Sequence, residues 1–259
     1  MGDTGAPSLP WFSSSPVSMQ TTSPLDNVSI ILVDTKTPAN IGATARCMMN
    51  TGLSRLLLVA PRKALDSESF KLAAGADEIL EKSVVYPHLC DAVAGHGLVI
   101  GASRHTGKRR KNVITPREVA ERVLPLLGNN KVALVFGNEV SGLGLRDIAL
   151  CHELVAIPTA DAFPSLNLSH AVMVVAYELF RASLKPVPPS PLELAPAEDL
   201  EHLYEHLHRT LRTIGFLDDK NSERMLFSLR QIFGRARLDS RDVSILRGIL
   251  HSVDRAGKC

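Results

Sequence analysis

Residues 155–179 read VAIPTADAFPSLNLSHAVMVVAYEL, and the parsing of this stretch decides the fold. The apolar run that ends at Ile157 is a short buried strand, closed by Pro158. The second half is apolar almost all round, through Ala171, Val172, Met173, Val174, Val175, Ala176 and Tyr177. A helix of that composition belongs in the middle of a protein. Yet it is entered through Pro164, Ser165, Asn167, Ser169 and His170. Hydrogen-bonding groups are therefore gathered at the mouth of the most buried helix.

Towards the N-terminus the same alternation repeats. VSIILVD (28–34), RLLLVAP (55–61), GLVIGAS (97–103), KVALVFG (131–137) and ELVAIP (153–158) are short apolar runs, hence buried strands. Helical stretches lie between them, at 38–52, around 66–80, 87–94, 116–127 and 144–150, with 166–184 after the last strand. Pro38 stands near a helix start and Gly52 at a helix end. Strand and helix in alternation predict an α/β domain over residues 27–184, a mostly parallel sheet with helices on both faces.

Beyond it, KPVPPSPLELAPAE (185–198) is too rich in proline for a regular helix, and residues 185–196 read as a stiff linker. Residues 197–259 show helical spacing, with Leu200, Leu203, Leu207 and Leu211, then Met225, Leu226, Leu229 and Phe233. A further helix is expected from Asp239 to about Val253, so this part is a small all-helical module. Residues 1–26, rich in Ser, Pro, Thr and Gly, read as a disordered tail without the features of a signal peptide. No apolar run approaches the ~20 residues of a membrane span.

Formal net charge is +2, so a polyanionic partner has to be met by a local basic patch. Cys47, Cys90, Cys151 and Cys259 are scattered, which argues against a zinc site or a disulfide framework and fits a reducing cytoplasm. GASRHTGKRRK (101–111) is not a Walker loop: five residues separate Gly101 from Gly107, and Arg109 stands where a Ser or Thr would hold magnesium. GNEVSGLGL (137–145) is not a dinucleotide fingerprint. His88, His96, His105, His152 and His170 form no recognisable constellation.

Three segments in series carry a resemblance: TKTPANIGATARCMMNTGLSRLLLVAP, VALVFGNEVSGL and VAIPTADAFPSLNLSHAVMVVAYEL. In this order and spacing they resemble the three motifs of the SpoU/TrmH branch of the SPOUT methyltransferases. The tail from GFLDDKNSERMLFSLRQIFGRARL onward resembles the helical extension of the TrmJ-type tRNA methyltransferases. The resemblance implies a sheet domain whose C-terminal part forms a deep trefoil knot, and a homodimer. It implies methyl transfer from S-adenosylmethionine to an RNA ribose 2'-hydroxyl, without metal, at nucleotide 32 of a tRNA anticodon loop. The second motif departs from the TrmJ-type Gly-Arg-Glu and reads Gly137-Asn138-Glu139, as in other SpoU enzymes. Ribosomal RNA or another tRNA position therefore stays open as the target, as does a non-catalytic RNA-binding protein of the same fold.

By resemblance the cofactor slot is built from Ala102, Ser103, Arg104, Gly137, Ile157, Pro164, Ser165 and Leu166. Gly137 is expected to let backbone approach the cofactor, and Ile157 and Leu166 to sandwich a flat ring. The resemblance gives the ribose hydroxyl to Arg46, with Glu139 and Asn167 as the other polar members of the catalytic set. Arginine stays protonated in proteins, so Arg46 serves as a base only if its surroundings change that, and otherwise orients the hydroxyl and a phosphate. Gly42, Arg46 and Asn50 share a helix face, where Gly42 would leave room for RNA. Asn40 is expected to help hold a phosphate near the helix start. Lys108, Arg109, Arg110 and Lys111 form, with Arg104, a basic run beside the slot, a candidate phosphate clamp. The helical module adds Arg224, Arg230, Arg235, Arg237, Arg241 and Arg247.

Overall fold

The structure is a computed structural model that describes residues 23–103 and 113–256. Seven strands are β1 (Val28–Val33), β2 (Arg55–Val59), β3 (Val84–Tyr86), β4 (Leu98–Ala102), β5 (Val113–Ile114), β6 (Val132–Phe136) and β7 (Glu153–Val155). They form one sheet in the order β3-β2-β1-β6-β4-β7-β5, with every pair parallel. The pleat sends alternate side chains to opposite faces. Ile30 and Leu32 of β1 enter one core, and Ile31 and Val33 enter the other. Because both faces are covered, β1 is buried at all six positions.

The first core packs under α1 (Pro38–Asn50), α2 (Ser67–Ala73), α3 (Asp77–Glu81), α5 (Pro116–Val123) and α7 (Leu168–Ser183). The second lies under α4 (Leu89–Val93) and α6 (Leu145–Ala149), with Ala197 of α8 (Ala197–Thr213) closing it. The stretch read as one helix over 66–80 is two. An Asp66–Ser69 capping box starts α2, and left-handed Ala74 (φ 47°) and Gly75 (φ 96°) end it. Strands β3 and β5, three and two residues long, were too short for any periodicity in the sequence. Strand β7 lies between β4 and β5 although it follows both in the chain.

Two expected boundaries shift. Residues 1–22 of the expected tail lie outside the described residues, and its last part is ordered: Pro24–Asn27 form a 3-10 turn capped by Ser23, and Leu25 is buried in the first core. Nor is 185–196 a free spacer. It is irregular as expected, but Ser190 N–H donates to Pro125 O at 2.8 Å. The Asn130 side chain donates to Leu192 O at 2.8 Å and accepts from Leu194 N–H at 2.7 Å. Leu194 belongs to the first core. Proline removed the helix, but apolar residues between the prolines still found a core to enter.

The helical module comprises α8, α9 (Ser222–Ala236) and α10 (Ser240–Ala256), around Leu200, Leu203, Tyr204, Val243 and Leu250. Arg230 stacks over Tyr204 at 4.4 Å and pairs with Glu201 at 2.6 Å. The module is pinned to the sheet through buried Glu153 of β7, which accepts from Arg122 at 3.2 Å and from Arg237 at 3.3 Å.

Two histidines in this framework make stability pH-dependent. His96 is wedged between Val93 O and Ser29 Oγ, and burial pulls its pKa from 6.5 to about 4. His152 accepts from Val99 N–H through Nδ1, and burial likewise pulls it to about 4. Both are depressed, so the unfolded chain binds more protons than the folded one between pH 4 and 6.5. Stability is then full above 6.5 and lost as pH falls, by about 1.4 kcal/mol per pH unit for each histidine. Denaturant titrations at stepped pH should show this slope, and His96→Asn should halve it. A stability flat between pH 6 and 4.5 would refute the assignment.

Candidate active site

Loops at the carboxyl ends of β4, β6 and β7 enclose a cleft open to solvent. This is the place where parallel α/β sheets bind ligands. Phe136, Leu143, Ile148, Val155 and Leu168 give it a buried apolar lining. Its exposed side carries Ser141, Pro164, Ser165 and Leu166. Of the residues assigned to the slot, Ala102, Ser103, Gly137, Ile157, Pro164, Ser165 and Leu166 all line this cleft. Arg104, Lys108, Arg109, Arg110 and Lys111 lie outside the described residues.

Besides the close approach expected of it, Gly137 has a second reason to be glycine. A Cβ there would stand 2.1 Å from Gly142 C and 2.2 Å from Leu143 N. The chain leaves β6, turns through 138–142 and returns against Gly137, making a bridge between Asn138 and Gly142. The turn depends on left-handed Gly142 (φ 68°). Gly42 is corrected. It is buried against α2, where a Cβ would meet Ser69 O at 1.9 Å, so it serves helix packing and offers no room to RNA.

The polar residues form one hydrogen-bonded chain. Glu139 accepts from Lys36 N–H at 3.1 Å, Thr37 N–H at 3.2 Å and Asn40 Nδ2 at 2.7 Å. Burial works to raise its pKa, but the bonds from Asn40 and the backbone prevail and hold it below the usual carboxylate range. The Thr37 side chain makes no cap at the start of α1, and the Glu139 carboxylate instead holds the N–H groups of Lys36 and Thr37 just before the helix. Asn40 Oδ1 in turn accepts from Asn167 Nδ2 at 3.0 Å. Asn167 Oδ1 accepts from Ser169 N–H at 2.9 Å and Ser169 Oγ at 2.8 Å, capping α7. The polar cluster at the mouth of α7 is therefore a cap joined to a network. Asn40, assigned above to a phosphate, has its amide engaged at both ends.

Arg46 sits six residues beyond Asn40 on α1, about 9 Å along the axis. It is exposed and has no hydrogen bond or ion pair among the described residues. A guanidinium so placed is free to meet a polyanion. Helix α7 buries Val172, Val175, Ala176 and Leu179, while Val174 and Tyr177 on its other side are 37% and 49% exposed.

Sequence reasoning missed Asn138, Ser141 and Gly142 in the cleft wall, although they stand inside the second quoted segment. It also missed His206, His251 and Asp254, whose ligand-type atoms lie within 4.8 Å of one another between α8 and α10. There Asp254 accepts from Thr210 Oγ1 at 2.6 Å, lies 2.9 Å from His206 Nε2, and has Arg209 at 3.7 Å. The aspartate is thus satisfied by protein groups.

Residues 27–177 match the SpoU rRNA methylase family, and residues 198–258 match the C-terminal domain of tRNA methyltransferase TrmJ. The chain is 37% identical over 239 residues to a tRNA (cytidine/uridine-2'-O-)-methyltransferase TrmJ from Photorhabdus laumondii, covering 90% of this chain and 99% of that one. The crystal structure of TrmJ from Z. mobilis ZM4 superposes with a TM-score of 0.77 at 32% identity, covering 87% of this chain and 98% of that chain. The SpoU methyltransferase AviRb from Streptomyces viridochromogenes, solved in complex with the cofactor AdoMet, shares the fold at 21% identity and a TM-score of 0.50, over 61% of each chain. Both the sheet domain and the helical module are accounted for, and the chain belongs to the SpoU methylase family, in its TrmJ branch, as an RNA ribose 2'-O-methyltransferase.

Proposed function

We propose that the protein transfers the methyl group of S-adenosylmethionine to the ribose 2'-hydroxyl of tRNA, at nucleotide 32 of the anticodon loop. The observation that carries this reading is the hydrogen-bonded chain Glu139–Asn40–Asn167, which locks the cleft loops to the helix that presents Arg46. The cleft suits the cofactor: its buried apolar lining accepts a flat adenine, and strand-end backbone at 102–103 and 137–142 is at hand for polar edges. AviRb, with the same fold, holds AdoMet. When bound, S-adenosylmethionine supplies an electrophilic methyl on a sulfonium. The remaining task for the chain is alignment. Arg46 orients the 2'-hydroxyl and an adjoining phosphate; Glu139 and Asn167 act as bracing residues that fix α1 and α7 around the cleft. The basic run 104–111, which follows β4, grips the RNA backbone.

The same reading includes a trefoil knot, supported by the insertion of β7 between β4 and β5, and cytoplasmic action without metal. Among the described residues no helix is long and apolar enough to cross a membrane. Mapping 2'-O-methylation across total RNA with and without the gene tests the target. Loss confined to nucleotide 32 of tRNA is expected. Loss on ribosomal RNA or at another tRNA position would keep the chemistry and overturn the target, and no loss anywhere would overturn both. Calorimetry should show S-adenosylmethionine binding equally well with chelator present.

The reading also makes the protein a homodimer that pairs through α7, where Val174 and Tyr177 leave an apolar side uncovered. Light scattering should give twice the chain mass at micromolar concentration, and Tyr177→Glu should halve it. An active wild-type monomer would refute the pairing.

A further inference from the structure

The turn 138–142 forms one wall of the cleft, and a single side chain organises it. Asn138 Oδ1 accepts from Val140 N–H at 2.9 Å, Ser141 N–H at 2.8 Å and Ser141 Oγ at 3.1 Å. Its Nδ2 points the other way and donates to Asp34 Oδ2 at 2.9 Å. An amide rotated by half a turn would aim its N–H2 at two backbone N–H groups and its oxygen at a carboxylate. The turn's N–H groups and Asp34 therefore agree on one orientation of the Asn138 amide, and Asp34 anchors its outer end to β1.

Asp34 is itself held with unusual care. It follows β1 in a left-handed conformation, φ 54°, which non-glycine residues seldom adopt. Its N–H donates to Val59 O at 2.9 Å, fixing the backbone to β2. Arg62, after β2, donates Nη2 to Asp34 Oδ2 at 3.2 Å and completes an ion pair through Nε. Arg62 N–H donates to Thr35 O at 2.9 Å, so the guanidinium and the loop it serves move as one. The Arg62 hydrogen bond, with a smaller contribution from Asn138, outweighs burial and keeps the Asp34 carboxyl below its usual range. None of these three side chains takes part in the Glu139–Asn40–Asn167 chain.

We propose that Asp34, braced by Arg62, is a positioning residue for the cofactor: it locks the Asn138 amide and so holds the 138–142 turn as the wall of the cleft. The inference rests on the reading of the cleft as the S-adenosylmethionine site. Asp34 lies outside the cleft lining and acts only through Asn138.

The test is a charge-for-amide swap read by calorimetry with S-adenosylmethionine on the full-length protein. Asp34→Gly keeps the left-handed backbone and removes the carboxylate. Asn138→Asp keeps the acceptor for the turn but sets two carboxylates against each other. The double variant Asp34→Asn, Asn138→Asp restores a donor facing an acceptor, and asparagine tolerates the left-handed conformation. Each single variant should weaken cofactor binding by about tenfold or more, and the double variant should recover to within about threefold of wild type. In Asp34→Gly, which leaves the cleft lining intact, the loss should fall on KM for S-adenosylmethionine, with kcat at saturating cofactor and tRNA affinity moving far less. Single variants that bind as wild type does, or a double variant as weak as the worse single, would overturn the positioning role. If the wild-type protein itself bound no S-adenosylmethionine, the cofactor reading would fail first and this inference with it.

Discussion

Replacing Arg46 with alanine should lower methyl transfer to tRNA by roughly 10²–10³-fold, the range for losing one donor aimed at reacting oxygen. The S-adenosylmethionine affinity should hardly change. Arg46 does not line the cleft, and its helix is anchored without it by Glu139 and Asn40. Its exposure and lack of a partner among the described residues mean that alanine leaves no buried charge uncompensated, so the fold should keep its stability. Arg46→Lys separates two roles. A point charge would preserve much of the phosphate attraction but lose the planar fork that orients a hydroxyl beside it. Single-turnover methylation of a tRNA transcript, paired with calorimetry on the same preparations, reads both quantities. Turnover within a few-fold of wild type in the alanine variant would make Arg46 a surface charge and remove the proposed mechanism.

Gly137→Val should cost about 3 kcal/mol of stability in the absence of cofactor and abolish cofactor binding as well. The added atoms meet the backbone of Gly142 and Leu143, which no side-chain rotamer can relieve. The turn must open, and with it goes the wall carrying Ser141 and Gly142. The effect on the protein alone is the telling part. Were Gly137 needed only for close approach to the cofactor, the variant would melt as wild type does and lose binding alone. Thermal unfolding of the cofactor-free variant decides, and an unchanged midpoint would show that the turn relaxes without cost.

Those two residues also show how far the sequence reaches. The sheet was legible because β1, β2, β4, β6 and β7 are short apolar runs, and burial on both faces leaves no alternation to confuse them. Part of the cleft was legible, since Ala102, Ser103, Gly137, Ile157 and residues 164–166 follow strand ends or stand in recognisable motifs, whereas Asn138, Ser141 and Gly142 were missed. Gly42 was misassigned because it was read from its place on one helix, whereas Ser69 claims it across a helix pair. The bond from Asn40 to Glu139, at a separation of 99 residues, was out of reach for the same reason.

What the sequence determined by itself was therefore the alternation of strand and helix, the family, and part of the residues gathered at the cleft. Periodicity and motif spacing are local quantities, and they survive in a linear string. The tertiary structure alone decided that β7 lies between β4 and β5, that the proline-rich segment feeds Leu194 into the core, and that Arg237 serves Glu153. It alone decided that Asp34 orients an amide 104 residues away. Hydrogen bonds and packing act over a few ångströms whatever the separation along the chain, so only the folded arrangement reveals which polar groups they join.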